Sequence, residues 1–484
     1  MHNAKMKVRM IEAAETALAD IAGLVLFANV RDQPLMRAFK ELLEQVASKG
    51  PPASGLSLVR SWASFMASLV ETELSCGEAA AHPGYGNFYH ALAWMTLRDD
   101  NLFTRTAEVH PGTGGFDRFP QVLLTLAQID LSRLGRIAAF DIPGLGFYVG
   151  AFLREGFPFL DKPAHAIEEE ARLLWAAEGK RAGVYPILDS LFPEHTDWAA
   201  GLVNFAGYIQ RVGAGTLGLY RSFRWAGFPE MGLKPVLNPD PVQLSSLAGY
   251  EEQRSVVIAN TLRFLEGKPA NNLLLYGDRG TGKSATVKAV CNEYAHRGLR
   301  LLEVPKGKLV QLPEILETLR FRGLRFIIFI DDLSFEKADD SFTALKMLLE
   351  GGIEVRPSQA VIYATSNRRH LVKEYAADRP TTAMAADALA TGDMRAFDTM
   401  QEQFSLADRF GLTVVFAAPG QEEFLRIAEF IARDRGIITD APQEVWKTFR
   451  ENALRWERWF NGRSPRTAVQ YVDWVAGGGG FPWD

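Results

Sequence analysis

Gly277-Asp278-Arg279-Gly280-Thr281-Gly282-Lys283-Ser284 is the stretch whose reading decides the fold of this chain. It has the form G-x-x-x-x-G-K-[ST] of a phosphate-binding loop. The apolar run Asn272-Leu273-Leu274-Leu275-Tyr276 before it predicts a buried strand. Ala285 opens a helix predicted over 285–297 and closed by Gly298. Strand, glycine-rich turn and helix N-terminus together converge backbone N–H groups on a phosphate, with the helix dipole adding partial positive charge. In that context Lys283 is expected to reach the β- and γ-phosphates of a nucleoside triphosphate, and the Ser284 hydroxyl to ligate Mg²⁺.

Outward from the loop, the pattern alternates. Short β-rich runs fall at 272–276, 299–304, 326–330, 361–365 and 412–416, with helical segments at 284–297, 312–322 and 339–350 between them. This predicts an α/β fold, a parallel sheet flanked by helices. From 421 the pattern is helical at 421–435, 442–459 and 465–475, as expected of a small α-helical lid. Upstream, Pro235, Asn238, Pro239, Asp240 and Pro241 form a stiff connector. Before it, Leu35, Met36, Phe39, Leu42, Leu43 and Val46 line one helical face, and similar patterns recur at 57–74, 87–98, 120–139, 164–177 and 196–212. The expected organisation is a mostly helical region over 1–235, a nucleotide-binding domain over 236–420, a lid over 421–476 and a flexible tail over 477–484.

Bulk properties narrow the class. A chain of 484 residues exceeds one ordinary domain. Its formal net charge of −5 argues against a generally basic nucleic-acid binder. Two cysteines, Cys76 and Cys291, exclude a disulfide framework. Cys76, His82 and His90, with Glu73, fit no closed zinc pattern. No signal peptide is visible, and the apolar stretches at 21–30 and 138–153 read as core segments. A cytoplasmic protein without a transmembrane segment is expected.

A second motif completes the first. Phe326-Ile327-Ile328-Phe329-Ile330-Asp331-Asp332 is an apolar strand ending in two carboxylates. Asp331 is placed to hold the Mg²⁺ shell, and Asp332 to orient or deprotonate the attacking water.

With Lys268-Pro269-Ala270-Asn271-Asn272 ahead of the loop strand and Tyr363-Ala364-Thr365-Ser366-Asn367-Arg368-Arg369-His370, this set resembles AAA+ ATPases. It is similar in particular to bacterial AAA+ proteins filed under a domain of unknown function, number 815. The resemblance spans roughly 245–475. It implies ATP and Mg²⁺ as cofactors, with Gly249 in the segment Leu247-Ala248-Gly249-Tyr250 packing on adenine. It also implies roles for Asn367 as sensor 1, Arg409 as an arginine finger in trans, and Arg466 as the lid's sensor 2, with Arg463 as fallback. A finger in trans implies a homo-oligomer, ring or spiral, acting on a protein or nucleic-acid client. AAA+ proteins usually carry Glu where Asp332 stands, one methylene longer.

Unfoldases of this kind thread polypeptide past an aromatic pair. The corresponding loop here is Pro305-Lys306-Gly307-Lys308-Leu309-Val310-Gln311, which has no aromatic. The expected function is an ATPase that remodels or loads a macromolecule. Alternatives are an ATP-gated assembly switch with slow hydrolysis and, less favoured, a small-molecule phosphate-loop kinase.

Overall fold

A computed structural model of the chain describes residues 2–48, 55–74, 88–109, 119–178, 186–193, 196–227, 232–333, 345, 349, 358–367, 409–438, 441–459 and 462–479. The chain divides into two compact units, Met1–Leu219 and Tyr220–Asp484.

The first unit is helical, and six of its described helices fall on the segments read as helical from the sequence. In chain order they are α1 (His2–Ala22), α2 (Ala28–Arg31), α3 (Pro34–Ala47), α4 (Gly55–Leu74), α5 (Phe88–Leu97) and α6 (Leu102–Val109). Then follow α7 (Gln121–Ala138), α8 (Ile142–Gly156), α9 (Asp161–Glu178), α10 (Pro186–Leu191), α11 (Leu202–Val212) and α12 (Gly215–Leu219). Helix α3 starts at Pro34, whose missing N–H costs nothing in a first turn, and buries the apolar face read from sequence. Phe39 on that face meets the rings of Phe65, Phe88 and Phe140 at 5.5, 4.6 and 5.3 Å between centroids. Phe39 and Phe65 are fully buried, and each such aromatic contributes about 1.5–3 kcal/mol.

The apolar stretch at 138–153 packs inward, with Ile142, Leu145, Val149 and Leu153 all buried. No single helix among the described residues is long and apolar enough to cross a membrane. The bent pair α7–α8 passes that test jointly, by length and composition only. His90 is buried, with Nε2 3.0 Å from Asp189 Oδ1, so it takes a structural partner. Cys76, His82 and the Glu73 side chain lie outside the described residues.

The second unit is α/β. Its strands are β1 (Ser222–Trp225), β2 (Leu233–Pro235), β3 (Leu273–Gly277), β4 (Leu299–Glu303), β5 (Arg325–Ile330), β6 (Ala360–Ser366) and β7 (Leu412–Phe416). They form one sheet in the order β2-β1-β4-β5-β6-β3-β7. All neighbouring pairs are parallel except the antiparallel β1–β2. The central strands are buried on both faces, which is why they read as continuous apolar runs. Helices α13 (Glu251–Leu265), α14 (Lys283–Tyr294) and α15 (Leu312–Leu319) accompany the sheet. A lid of α16 (Gln421–Asp434), α17 (Gln443–Trp459) and α18 (Pro465–Ala476) closes on its own core of Phe424, Ile427, Phe449, Trp456 and Tyr471.

Five strands and the lid helices fall within a residue or two of their expected places. The boundary differs. The sequence division at 235 becomes 219/220, because Phe223 pairs with Leu302 of β4 and, on its other side, with Pro235 of β2. Strands of four and three residues are too short to show periodicity, and only pairing defines them. The Pro-rich connector lies on the α/β unit, where Asn292 Nδ2 donates to the carbonyls of Asp240 and Val242 at 2.8 Å. Residues 480–484 of the tail expected at 477–484, and most of the helix expected at 339–350, lie outside the described residues.

Candidate nucleotide site

The parallel sheet brings the carboxyl ends of β3, β5 and β6 together, and the two sequence motifs meet there. Gly277 ends β3 with φ +140°. A Cβ at this position would lie 2.1 Å from the Phe416 carbonyl oxygen, so only glycine passes. The turn is stitched to the end of β7 from both sides. Asp278 N donates to Phe416 O at 3.1 Å, and Ala418 N donates to Asp278 Oδ2 at 2.8 Å. Thr281 Oγ1 donates to Asp278 O at 2.8 Å inside the loop. Arg279 is exposed, and Gly282 precedes the helix that begins at Lys283, with Ser284 and Ala285 in its first turn.

Lys283 is only 4% exposed. Its ammonium donates to the loop's own carbonyls, Gly277 O at 3.0 Å and Asp278 O at 2.6 Å. Burial lowers its pKa to about 8. Asp278, Asp331 and Asp332 oppose that shift, and Arg466 adds to it. A bound polyanion favours the charged form, so binding takes up a proton once Lys283 is neutral. Nucleotide affinity should therefore be flat below pH 7 and fall by about tenfold between pH 7 and 9. Titration with a fluorescent nucleotide across that range checks this, and Lys283→Arg should flatten the profile.

Ser284 Oγ donates to Asp331 Oδ1 at 2.6 Å, joining the two motifs directly. Thr365 Oγ1 donates to the same oxygen at 2.6 Å. It also accepts from Asp332 N at 2.9 Å. Asn367 Nδ2 donates to Asp332 Oδ1 at 2.8 Å, so the strand-end polar residue and the second carboxylate are in contact. Asp332 has φ +53°, one of two non-glycine residues with left-handed backbone among the described residues. Asp331 and Ser284 present hard oxygen donors side by side, the chemistry that suits Mg²⁺. Among the described residues no group of three or more His, Cys, Asp or Glu side chains forms a metal cage.

Beside the loop lies a cavity of about 240 Å³ between the sheet and the lid. Leu247, Ala248, Tyr250, Ile427, Ile431 and Val469 form its apolar part, and Thr281 and Gly282 border it from the loop. Tyr250 is held at the mouth, its hydroxyl donating to Ala417 O at 2.6 Å and its ring 5.2 Å from Phe416. Burial pushes the Tyr250 phenol well above its ordinary pKa, so it stays a donor. Gly249 carries the segment past the lid, close to Ile427 and Glu423. An apolar slot with a polar end suits a purine base joined to phosphates.

The lid touches the loop through α18. Arg466 N donates to Gly280 O at 3.1 Å, and Ser464 caps the helix by accepting from Thr467 N. The Arg466 side chain is exposed, within electrostatic reach of Lys283. Arg463 is instead paired with Glu457 at 2.8 Å. Arg409 is not brought to this site. It stands three residues before β7, at the opposite end of the sheet, roughly 17 Å of strand from the loop. The segment 305–311 folds mainly as a 3₁₀ turn, with Leu309 buried and Gln311 Oε1 accepting from Trp225 Nε1 at 2.7 Å.

Thr365 and the lid residues Ile427, Ile431 and Val469 escaped sequence reasoning. Ile427 and Ile431 lie on α16 and Val469 on α18, and their helical pattern carries no signal that they face a cavity. For Thr365 no local signal exists.

Fold and site define an α/β protein built around a glycine-rich strand–turn–helix loop and covered by a helical lid. The chain belongs to the family described as protein of unknown function (DUF815), whose model matches residues 219–479. No curated protein matches the sequence. Among solved structures, two single-substitution variants of RuvB from Thermotoga maritima are similar, each at 18% identity and TM-score 0.31. Each match covers 49% of this chain and 65% of the RuvB chain. That likeness is too distant to carry function.

Proposed function

We propose that residues 220–484 form a Mg²⁺-dependent ATPase of the AAA+ type, acting in the cytoplasm as a ring or spiral that remodels or loads a protein or nucleic-acid partner. The observation that carries this reading is the chain of contacts Ser284–Asp331–Thr365–Asp332–Asn367 beside the loop lysine. Hydrolysis of a phosphoanhydride needs charge neutralisation and a positioned water more than covalent chemistry. Lys283 and the backbone N–H groups of the loop supply the first. Ser284 and Asp331 hold the cation, which when bound adds positive charge against the phosphates. Asp332 accepts the proton of the attacking water, and Asn367, bonded to it, orients both. The cavity bordered by Tyr250 and Ile427 takes the base.

Phosphate release from ATP by the purified chain, with Mg²⁺ and with chelator, tests this directly. No nucleotide binding, or transfer of phosphate to an acceptor other than water, would sink it.

In this reading Arg409, which lies at the far end of its own sheet, is a finger for a neighbouring subunit, and hydrolysis depends on assembly. Arg409→Ala should lower turnover by about a thousandfold or more while leaving nucleotide affinity within about threefold. Wild-type activity per subunit should also drop on dilution through the assembly range. Activity per subunit that stays constant on dilution speaks against a finger in trans.

A further inference from the structure

We propose that Thr365 is a positioning residue whose single hydroxyl sets the Asp331 carboxylate and the Asp332 backbone at once. The inference rests on the nucleotide-site reading above and deepens it. Thr365 sits on β6, is 2% exposed, and uses its one proton toward Asp331 Oδ1 at 2.6 Å. Its oxygen accepts from the Asp332 N–H at 2.9 Å. Its one donor and one of its two acceptor lone pairs are in use, each toward a different aspartate.

Two consequences follow. Ser284 and Thr365 donate to the same oxygen of Asp331, and Ser284 is itself a cation ligand in the proposed site. Thr365 is then the donor that keeps Asp331 aimed once Ser284 turns to the metal. The second consequence concerns the backbone of Asp332. A left-handed conformation at φ +53° costs energy for any residue with a Cβ, and Asp and Asn bear it best. The Thr365 acceptor ties down the N–H of that strained residue, and Asn367 Nδ2 ties down its carboxylate. A side chain one methylene shorter than glutamate is thus re-aimed by its backbone, and a glutamate would fit this conformation less well.

The test compares Thr365→Val, close in shape but without the hydroxyl, with Thr365→Ser, which keeps it. Binding of a fluorescent ATP analogue is measured in chelator and across a Mg²⁺ titration, alongside turnover. Thr365→Val should bind in chelator within about twofold of wild type. Its half-saturating Mg²⁺ should rise about tenfold and its turnover fall about 10–100-fold. Thr365→Ser should return both to within about threefold of wild type. An unchanged Mg²⁺ requirement in Thr365→Val overturns the proposal. So does a folded Thr365→Ser variant that needs as much extra Mg²⁺ as Thr365→Val, because the methyl group would then be the cause. If Thr365→Val does not fold, the Ser variant alone decides by the same Mg²⁺ measure. A wild-type chain that binds no nucleotide sinks the parent reading instead.

Discussion

Lys283→Ala should lower nucleotide affinity by more than about a hundredfold, the cost of removing one partner of a desolvated charge pair. The side chain is nearly buried against the loop, so its charge acts where water cannot screen it. The same substitution strips Gly277 O of its lysine donor and leaves Asp278 O with the Thr281 hydroxyl in place of two donors. That should cost about 1–3 kcal/mol of stability if no water replaces it. The two effects separate by measurement. Calorimetric titration with ATP reads the first, and the thermal midpoint without nucleotide reads the second. A variant that melts several degrees lower yet binds ATP with wild-type affinity would show that Lys283 serves only the loop.

Asp332→Asn should leave ATP binding within about threefold of wild type and reduce turnover by about 10²–10⁴-fold, the usual contribution of a general base. The substitution is informative because Asn tolerates the left-handed backbone at φ +53° as well as Asp does. Conformation is kept while the negative charge and the proton-accepting capacity go. Single-turnover hydrolysis with excess protein reads the chemical step without product release. Wild-type turnover in this variant would remove Asp332 from the mechanism and leave Asp331 as the carboxylate that matters. A bound but slowly turning variant would also hold its client longest, which makes it the bait for identifying the partner.

Much of the site was legible in the sequence because its parts are contiguous. The loop from Gly277 to Ser284 is one turn, and Asp331 and Asp332 follow one apolar strand. Each spells its own local geometry. Asn367 was legible for the same reason, at the end of the run Ala360–Ser366. Arg466 and Arg463 could not be separated by reading alone, since both lie beside the start of α18. In the structure Arg463 pairs with Glu457, and the backbone N–H of Arg466 meets the loop. Strands β1 and β2 stayed hidden because short segments gain their identity only from the partners they pair with.

By itself the sequence determined the glycine-rich turn of the loop and the alternation of strands and helices, since both depend on neighbours along the chain. The tertiary structure alone decided the rest. It placed Thr365 on an Asp331 lying 34 residues away, closed a cavity with the lid, and set Arg409 at the far end of the sheet. The physical reason is parallel pairing. Strands distant in sequence end side by side, so residues with no local relation share one oxygen, and that shared contact leaves no trace in the spacing of either motif.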